Sequence, residues 1–219
     1  MGDRTPAVNS EGKSSVEVMN LMGYDAMALG EGDLGKLSLD AIAQRIQEAE
    51  FSVLSTNVLV AGTADLLTEP FLIRDMGGRR VAIVGLTGMA TVPGLEFRDP
   101  LLAAREAVAQ VREHADVIIL LSHAGLEANT QIAEEVAGID LIVSGGGTSV
   151  LPSPLVSKSG SVIVHADAAA PGHAGRRIGV GAWSFDPSGA LTDQRWENLE
   201  LVAEIADDPA IAAWTSANP

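Results

Sequence analysis

The sequence predicts an α/β domain with a largely buried mixed sheet, because helices and apolar strands alternate along most of the chain. Two segments, "RVAIVGLT" and "DVIILLSH", are apolar almost throughout, as strands covered on both faces are. Short strands follow Pro152 and indicate an antiparallel end to the sheet. The length of 219 residues is typical of one domain, which we expect to span residues 1–219.

The first part of the chain predicts two helices and two strands. Lys13–Gly23 has apolar residues on one helical face and ends in glycine, which indicates a short helix. The segment "YDAMALG" predicts a buried strand, and "ALGEGDLG" (residues 28–35) is expected to be a loop. Ser38 is a candidate N-cap for a helix over Ser38–Glu50, and "FSVLSTN" follows as a strand that ends at Asn57.

The middle of the chain carries the clearest local signals. Pro70–Thr87 predicts a hairpin that turns on Met76–Arg79. Asp99–Ala115 predicts a helix with Asp99 as its cap and Pro100 in the first helical position. A buried strand, a helix that ends at Gly138 and another buried strand are expected after it.

Both ends of the chain differ from the middle in composition. Residues 1–12, approximately, are loop-like. After Pro152 the pattern predicts two or three strands, a Pro-Ser-Gly turn and, from about residue 196 to residue 219, a C-terminal helical tail. We found no internal repeat and no low-complexity segment.

The composition excludes several classes of function. A net charge of −15 makes nucleic acid and anionic membrane surfaces unfavourable partners. The absence of cysteine rules out thiol catalysis, disulfides and thiolate metal sites. The longest apolar run, "VIILL", is far too short to span a membrane, and the opening residues lack the apolar core of a signal peptide. A phosphorylated small molecule remains compatible, because bound metal ions can invert the local field.

Candidate chemistry lies where loops leave the carboxyl ends of the predicted strands, the usual ligand position in open α/β sheets. The polar residues at these positions are Glu31, Asp33, Asn57, Ser122, His123 and Thr148. Carboxylate, amide and imidazole groups are donors that hard or borderline divalent metals use. His123 is the sharpest candidate, although a histidine bonded to a nearby carbonyl fits the pattern equally well.

The other histidines and glycine-rich motifs give weaker evidence for a functional site. His114 lies in the last turn of a helix, where the dipole favours a cation, and we interpret His165 and His173 as structural. "GGGTS" is followed by "VLPSP" rather than a helix, which opposes a P-loop. The chain has neither a G-x-G-x-x-G fingerprint nor a G-x-S-x-G elbow.

Five segments together resemble the metallophosphatase domain of the 5′-nucleotidase family, within the calcineurin-like metallophosphoesterases. They are "VEVMNLMGYDAMALGEGDL", "FSVLSTNV", "GGRRVAIVGLT", "ADVIILLSHAG" and "AGIDLIVSGGGTSVL". The resemblance covers nearly the whole chain in order. It implies a four-layer α/β/β/α sandwich around two metals, here with its first strand missing, and a second domain beyond this chain.

The family's chemistry rests on five motifs: Asp-x-His, Gly-Asp, Gly-Asn-His-Glu/Asp, a strand-end His and Gly-His-x-His. The first motif is absent, and Gly2-Asp3 is a candidate for the second. The third is altered, because Glu31 stands in place of the metal-binding Asn and Gly32 in place of the catalytic His. Ser122-His123 matches the fourth, whereas the fifth reads Gly-Gly-Gly-Thr at residues 145–148, without either histidine.

The resemblance therefore implies a depleted metal centre. The remaining candidate ligands are Asp3, Glu31 and His123, with Asp33 as a helper and Asn57 as a candidate substrate contact. This donor set predicts at most one weakly bound Mn, Zn, Mg or Ca ion, whereas two-metal phosphoryl transfer needs a pair.

Three functions stay open on the sequence. The first is a metallophosphatase-like domain that is catalytically impaired or non-catalytic and serves ligand or partner binding. The second is an active metal-dependent phosphate-ester hydrolase, nucleotidase-like, with a rearranged site of Glu31, Asp33 and His123. The third is an interaction domain without any small-molecule site. The family resemblance suggests a periplasmic or extracellular parent protein, although this chain carries no signal peptide.

Overall fold

The computed structural model describes residues 7–147, 151–167, 176–186 and 191–218. Its helices are α1 (Lys13–Leu21), α2 (Glu31–Lys36), α3 (Leu39–Glu48), α4 (Pro100–Val111), α5 (Leu126–Glu135) and α6 (Pro209–Ala217). Its strands are β1 (Ala26–Ala28), β2 (Ser52–Leu54), β3 (Val58–Val60), β4 (Phe71–Met76), β5 (Arg79–Leu86), β6 (Leu95–Phe97), β7 (Val117–Ser122), β8 (Leu141–Ser144), β9 (Leu155–Val156), β10 (Val162–Val164), β11 (Arg177–Phe185) and β12 (Leu191–Glu200).

A six-stranded mixed sheet in the order β4-β5-β7-β8-β10-β9 forms the centre of the molecule. The four strands from β5 to β10 run parallel, and the two edge strands are antiparallel to their neighbours. Two-stranded sheets are formed by β1 with β2, β3 with β6, and β11 with β12. The predicted mixed sheet is therefore confirmed.

Side chains alternate between the two faces of the central sheet. On β5, Ala82 and Val84 pack against α4 and α5, whereas Val81 and Ile83 pack against Leu54 of β2. The opposite side of the β1–β2 layer packs on α1, α2 and α3. Helices, central sheet, second sheet and helices thus form the four-layer α/β/β/α sandwich that the family resemblance implies.

Local capping signals set the helix starts that the sequence predicts. The Ser38 hydroxyl accepts from the Ala41 amide at 3.1 Å, and the Asp99 carboxylate accepts from the Leu102 amide at 2.9 Å. The β4–β5 hairpin turns on Gly77 and Gly78, which both have positive φ, as the type of turn requires.

Two elements differ from the sequence prediction. Residues 31–36 form the short helix α2 rather than a loop, because Asp33 caps its start and Leu34 is buried beneath it. Residues 196–200, which we placed in the helical tail, complete β12, and the C-terminal helix begins at Pro209. The predicted Pro-Ser-Gly turn at 187–189 lies outside the described residues.

Candidate functional site

The residues that follow β5, β7 and β8 meet at one edge of the central sheet. The His123 amide donates to the Leu86 carbonyl at 2.8 Å, and the Gly145 amide donates to the Ser122 carbonyl at 2.7 Å. The second sheet ends at the same place, since the Thr56 amide donates to the Gly85 carbonyl at 2.9 Å. Parallel strands thus bring their carboxyl ends together, which is where ligand sites of such sheets form.

A carboxylate–imidazole pair lies at the centre of this edge. Glu31 Oε2, at the start of α2, is 2.6 Å from His123 Nδ1, at the end of β7. Both side chains are partly exposed, at 37% and 34%. Two residues that the sequence predicts as ligands are therefore brought together, and they bind each other.

Glycines surround this pair where side chains would collide with it. A Cβ on Gly30 would lie 3.3 Å from His123 Nδ1, and one on Gly145 would lie 3.1 Å from His123 Cδ2. A Cβ on Gly88 would be 2.8 Å from both Glu31 Oε2 and the His123 carbonyl oxygen. Backbone therefore packs directly against the imidazole and the carboxylate. We call Gly30, Gly88, Gly145 and Gly146 the glycine collar.

The pKa of Glu31 reflects this environment. Partial burial acts to raise the pKa, but the hydrogen bond and the charge interaction with His123, together with a backbone hydrogen bond, outweigh burial. The net result is a pKa below the ordinary value of 4.5. The carboxylate is therefore ionised at neutral pH.

Replacing Glu31 with glutamine should lower stability in a pH-dependent way. A depressed folded-state pKa adds stability above the unfolded pKa of 4.5, and this stability is lost as the pH falls through the folded value. We expect the wild type to melt above Glu31→Gln at pH 6 and the difference to shrink below pH 4.5. Melting followed by circular dichroism from pH 3 to pH 7 tests this. A difference that stays constant down to pH 3 would contradict it.

Asp33 lies next to the pair but has a clear structural role. It is buried, and its Oδ2 accepts from the Gly30 amide at 3.1 Å, which caps α2. Its charge acts to raise the pKa of Glu31, so the two carboxylates are close enough to interact. Glu31, Asp33 and His123 thus share one neighbourhood.

Asn57 lies in the interior, behind the residues that form this edge of the sheet. It is fully buried, and its amide bridges both backbone groups of Thr87: Nδ2 donates to the Thr87 carbonyl, and Oδ1 accepts from the Thr87 amide, each at 2.9 Å. Ser55 and Thr87 join their hydroxyls at 2.7 Å beside it. In this arrangement Asn57 fixes the loop after β5, which carries Gly88 of the glycine collar.

Sequence reasoning missed a buried polar chain beneath His123. Ser122 Oγ donates to Asn129 Oδ1 at 2.6 Å, and Asn129 Nδ2 donates to Ser144 Oγ at 2.8 Å. His165 Nδ1 lies 2.7 Å from the Ser144 carbonyl oxygen. Asn129 lies within helix α5, and only its complete burial distinguishes it from a solvated helical residue. His165 is buried, as its structural interpretation predicts.

Not all predicted site residues can be placed. Asp3, Thr148 and His173 lie outside the described residues. Across residues 7–147, 151–167, 176–186 and 191–218, no group of three or more His, Asp or Glu side chains has a metal-binding arrangement. Two surface cavities, of about 350 Å³ beside Trp183 and Trp196 and about 270 Å³ beside Leu34 and Val92, are lined by neither Glu31 nor His123.

Comparisons with known proteins agree on one family. A probable 5′-nucleotidase of Treponema pallidum is 32% identical over 70% of this chain and 27% of its own length. A snake venom 5′-nucleotidase of Naja atra is 27% identical over 93% of the chain and 43% of its own length. No protein-family model matches the chain.

The fold agrees with the sequence relatives. The crystal structure of a 5′-nucleotidase precursor from Thermus thermophilus superposes with a TM-score of 0.78 and 26% identity, covering 94% of this chain and 45% of that one. The chain thus spans less than half the length of each of these proteins. The order of its motifs, its layered fold and these similarities show that the chain is a metallophosphatase domain of the 5′-nucleotidase type.

Proposed function

We propose that this domain is a metallophosphatase-type domain whose phosphate-ester hydrolysis is impaired or absent. The observation that carries the proposal is the 2.6 Å bond between Glu31 and His123. The two residues that match the family's metal-ligand motifs bind each other, so Glu31 Oε2 and His123 Nδ1 are both engaged. What the site retains is a polar, partly exposed pair at the ligand edge of the sheet.

The family generally uses divalent metals, and the described donors do not fit a two-metal centre. Gly32 and Gly146 stand at two of the family's histidine positions and supply no donor atom. The Asp33 carboxylate caps α2 through the Gly30 amide, and the Asn57 side-chain amide binds both backbone groups of Thr87. The loss of the family's catalytic histidine alone would lower the rate by a factor on the order of a hundred or more.

An active phosphate-ester hydrolase is the alternative that the site itself suggests. Glu31, Asp33 and His123 do occupy one neighbourhood, at the edge where ligands bind. A single ion held there would give a rearranged one-metal site. The impaired domain and the active hydrolase differ in their expected turnover and metal affinity, so one set of measurements distinguishes the two hypotheses.

We expect no hydrolysis of p-nitrophenyl phosphate or AMP above the buffer rate with millimolar Mn²⁺, Zn²⁺, Mg²⁺ or Ca²⁺. The reason is the missing donors and the missing catalytic histidine. Calorimetry should find at most one weakly bound ion. His123→Ala is the test variant, and His114→Ala, which removes an exposed histidine beyond α4, is its matched control. Turnover that His123→Ala abolishes and His114→Ala retains would overturn the proposal in favour of the hydrolase.

The parent protein is proposed to contain a further domain, to lie outside the cytoplasm and to bind a phosphorylated small molecule. The relatives are two to four times as long as the matched region, which supports a second domain. One of them is a venom protein, which supports export. In the part of the chain that the structure describes, no helix has the length and apolar character that crossing a membrane requires.

A further inference from the structure

The second layer of the sandwich is divided into separate two-stranded sheets. β2 lies over β4 and β5, and β1 lies over β5 and β7. The β11–β12 hairpin lies over β8 and β10, where Trp183 and Trp196 pack against Leu141 and Val164. Among the described residues, no strand is placed between β1 and this hairpin. The layer is therefore interrupted above the middle of the central sheet.

The floor of this interruption is apolar and incompletely covered. It is formed by Ile119 and Leu121 of β7 and Val143 of β8, and we call the space above these three residues the strand gap. Leu120, which faces the helices from the same central strand, is fully buried. Ile119, Leu121 and Val143 are only partly buried, although strands at the centre of such a sheet are normally covered on both faces.

The free edge of β1 forms one wall of the strand gap. The Asp25 carbonyl and the Leu29 amide both bond to β2, at 3.2 and 3.1 Å. Alternate residues of a parallel strand bond to the same neighbour, so the N–H and C=O groups of Ala26 and Ala28 point toward the gap. Within the described part of the chain, no residue bonds to these groups.

The hairpin faces the strand gap with β11 rather than with β12. Phe185, at the end of β11, packs with Val81 of β5 and Val117 of β7. Arg195 of β12 instead lines a cavity with Pro154, beside the edge strand β9. β11 is therefore the strand of the hairpin that lies next to the gap.

The outward edge of β11 forms the second wall. The Leu201 amide donates to the Arg176 carbonyl at 2.8 Å, so the even-numbered residues of β11 bond to β12. The N–H and C=O groups of Gly179 and Gly181 consequently point toward the gap, and no described residue bonds to them. The strand gap thus has unpaired backbone on both sides and apolar side chains beneath it.

We propose that the strand gap is a docking site for one extended strand of a partner polypeptide. Unpaired N–H and C=O groups on two facing strand edges are satisfied together only by a strand that lies between them. Such a strand joins the β1–β2 and β11–β12 sheets into one sheet of five strands. Its alternate side chains point toward Ile119, Leu121 and Val143, so those side chains are apolar.

Charge complementarity specifies the partner further. The chain has 29 Asp and Glu residues against 14 Lys and Arg residues, which gives a net charge of −15. A strand flanked by lysine or arginine is attracted by this charge, whereas a strand flanked by glutamate is repelled. The partner is therefore a basic segment with alternating apolar residues. This inference goes beyond the proposed function, because it depends neither on a metal nor on phosphate-ester hydrolysis.

A short synthetic peptide serves as the probe, with the sequence acetyl-Lys-Lys-Val-Thr-Val-Thr-Val-Lys-Lys-amide. We expect it to bind the domain at least about tenfold more tightly than the same peptide with glutamate in place of every lysine. A lysine probe that is N-methylated at alternate residues keeps the side chains but cannot complete the backbone ladder, so it should not bind. Isothermal titration at low salt measures all three peptides.

Hydrogen exchange followed by NMR locates the bound probe. At saturation, the amides of Ala26, Ala28, Gly179 and Gly181 should exchange about tenfold more slowly or better, because each gains a hydrogen-bond partner. The amide of Ile73 is the internal control. It lies on the edge strand β4 and points away from β5, so its exchange rate should not change.

Ala26→Pro is the test variant, because proline removes an N–H group that faces the gap and places its ring there. The affinity for the lysine probe should fall about tenfold or more, whereas Ile73→Pro, the matched control at the outer edge of β4, should leave it unchanged. If Ala26→Pro does not fold, the exchange pattern of the wild type decides alone.

Three results would overturn the inference. They are an absence of protection at Ala26 and Ala28 with saturating probe, equal affinities for the lysine and glutamate probes, and protection of these amides without any probe in a domain that sedimentation shows to be dimeric. The last result would assign the strand gap to a second copy of the chain. None of them bears on the phosphate-ester assay, so failure of the proposed function is recognised separately.

Discussion

Replacing Gly85 with alanine is expected to destabilise the domain by about 3 kcal/mol, the upper part of the usual range for overpacking a core. Gly85 lies on the face of β5 that meets the second sheet. An added Cβ would lie 2.5 Å from both the carbonyl carbon and the carbonyl oxygen of Leu54. Backbone cannot rotate away as a side chain can, so the two sheets must separate. Equilibrium unfolding in urea measures the loss.

Gly35→Ala is the matched control for this substitution. Gly35 lies in α2 and is exposed, and no atom approaches within 4 Å of the position of an added Cβ. Alanine there should be neutral or stabilising, by up to about 1 kcal/mol, because it restricts the unfolded chain and favours helix. Equal losses for the two variants would mean that the close approach of β2 and β5 is not what makes Gly85→Ala costly.

Replacing Asn57 with alanine should cost about 2–4 kcal/mol, because it leaves two buried backbone groups of Thr87 without their partners. Asn57 Nδ2 also donates to the Arg98 carbonyl oxygen at 3.4 Å, so the substitution also removes a hydrogen bond to the segment before α4. The midpoint of urea unfolding is the measurement. The loop that carries Gly88 should loosen with it, and faster amide exchange at Thr87 and Gly88 would report that directly.

Gln44→Ala is the control for removing an amide side chain. Gln44 is exposed, and its one hydrogen bond joins Glu48 on the same helix at 2.9 Å. Its loss should change stability by about 0.5 kcal/mol or less. If Asn57→Ala proved as mild as Gln44→Ala, the amide bridge would be unimportant for the loop, and a role of Asn57 toward a ligand would gain weight.

The sequence predicts most of the fold because the signals there are local. Asp99 and Pro100 set the start of α4, Gly77 and Gly78 set the hairpin turn, and the apolar runs of β5 and β7 indicate strands buried on both faces. Each of these signals acts within a few residues. The layered architecture then follows from the order of the elements and from the family resemblance.

The helix α2 is where local reasoning fails. Two glycines in six residues favour a loop by propensity, but propensity is a weak determinant. Burial of Leu34 and the cap that Asp33 provides to Gly30 decide the conformation, and both depend on the neighbouring layers. The strand β12 continues to Glu200 for a related reason, because pairing with β11 extends to Arg177.

The sequence predicts which residues gather at this edge of the sheet, but it does not predict which contacts they make with one another. Sequence position indicates that Glu31 and His123 share an edge of the sheet, although 92 residues separate them. It gives no sign that they bind each other, since the choice between an ion and a partner side chain depends on distances of a few ångströms. Asn129 escapes prediction because a polar residue within a helix is usually solvated, and only the burial of α5 against β7 and β8 reverses that expectation.

The glycine collar limits which residues position 146 can accept. Gly146 has φ of +75°, and a Cβ there would lie 2.6 Å from the His123 carbonyl oxygen. A histidine at position 146, which the family resemblance matches to a metal ligand, would therefore meet both backbone strain and a collision while His123 keeps its present place. Introducing a side chain there is unfavourable unless the 145–147 loop moves. Building a histidine ligand into this edge of the sheet would therefore take changes beyond position 146 itself.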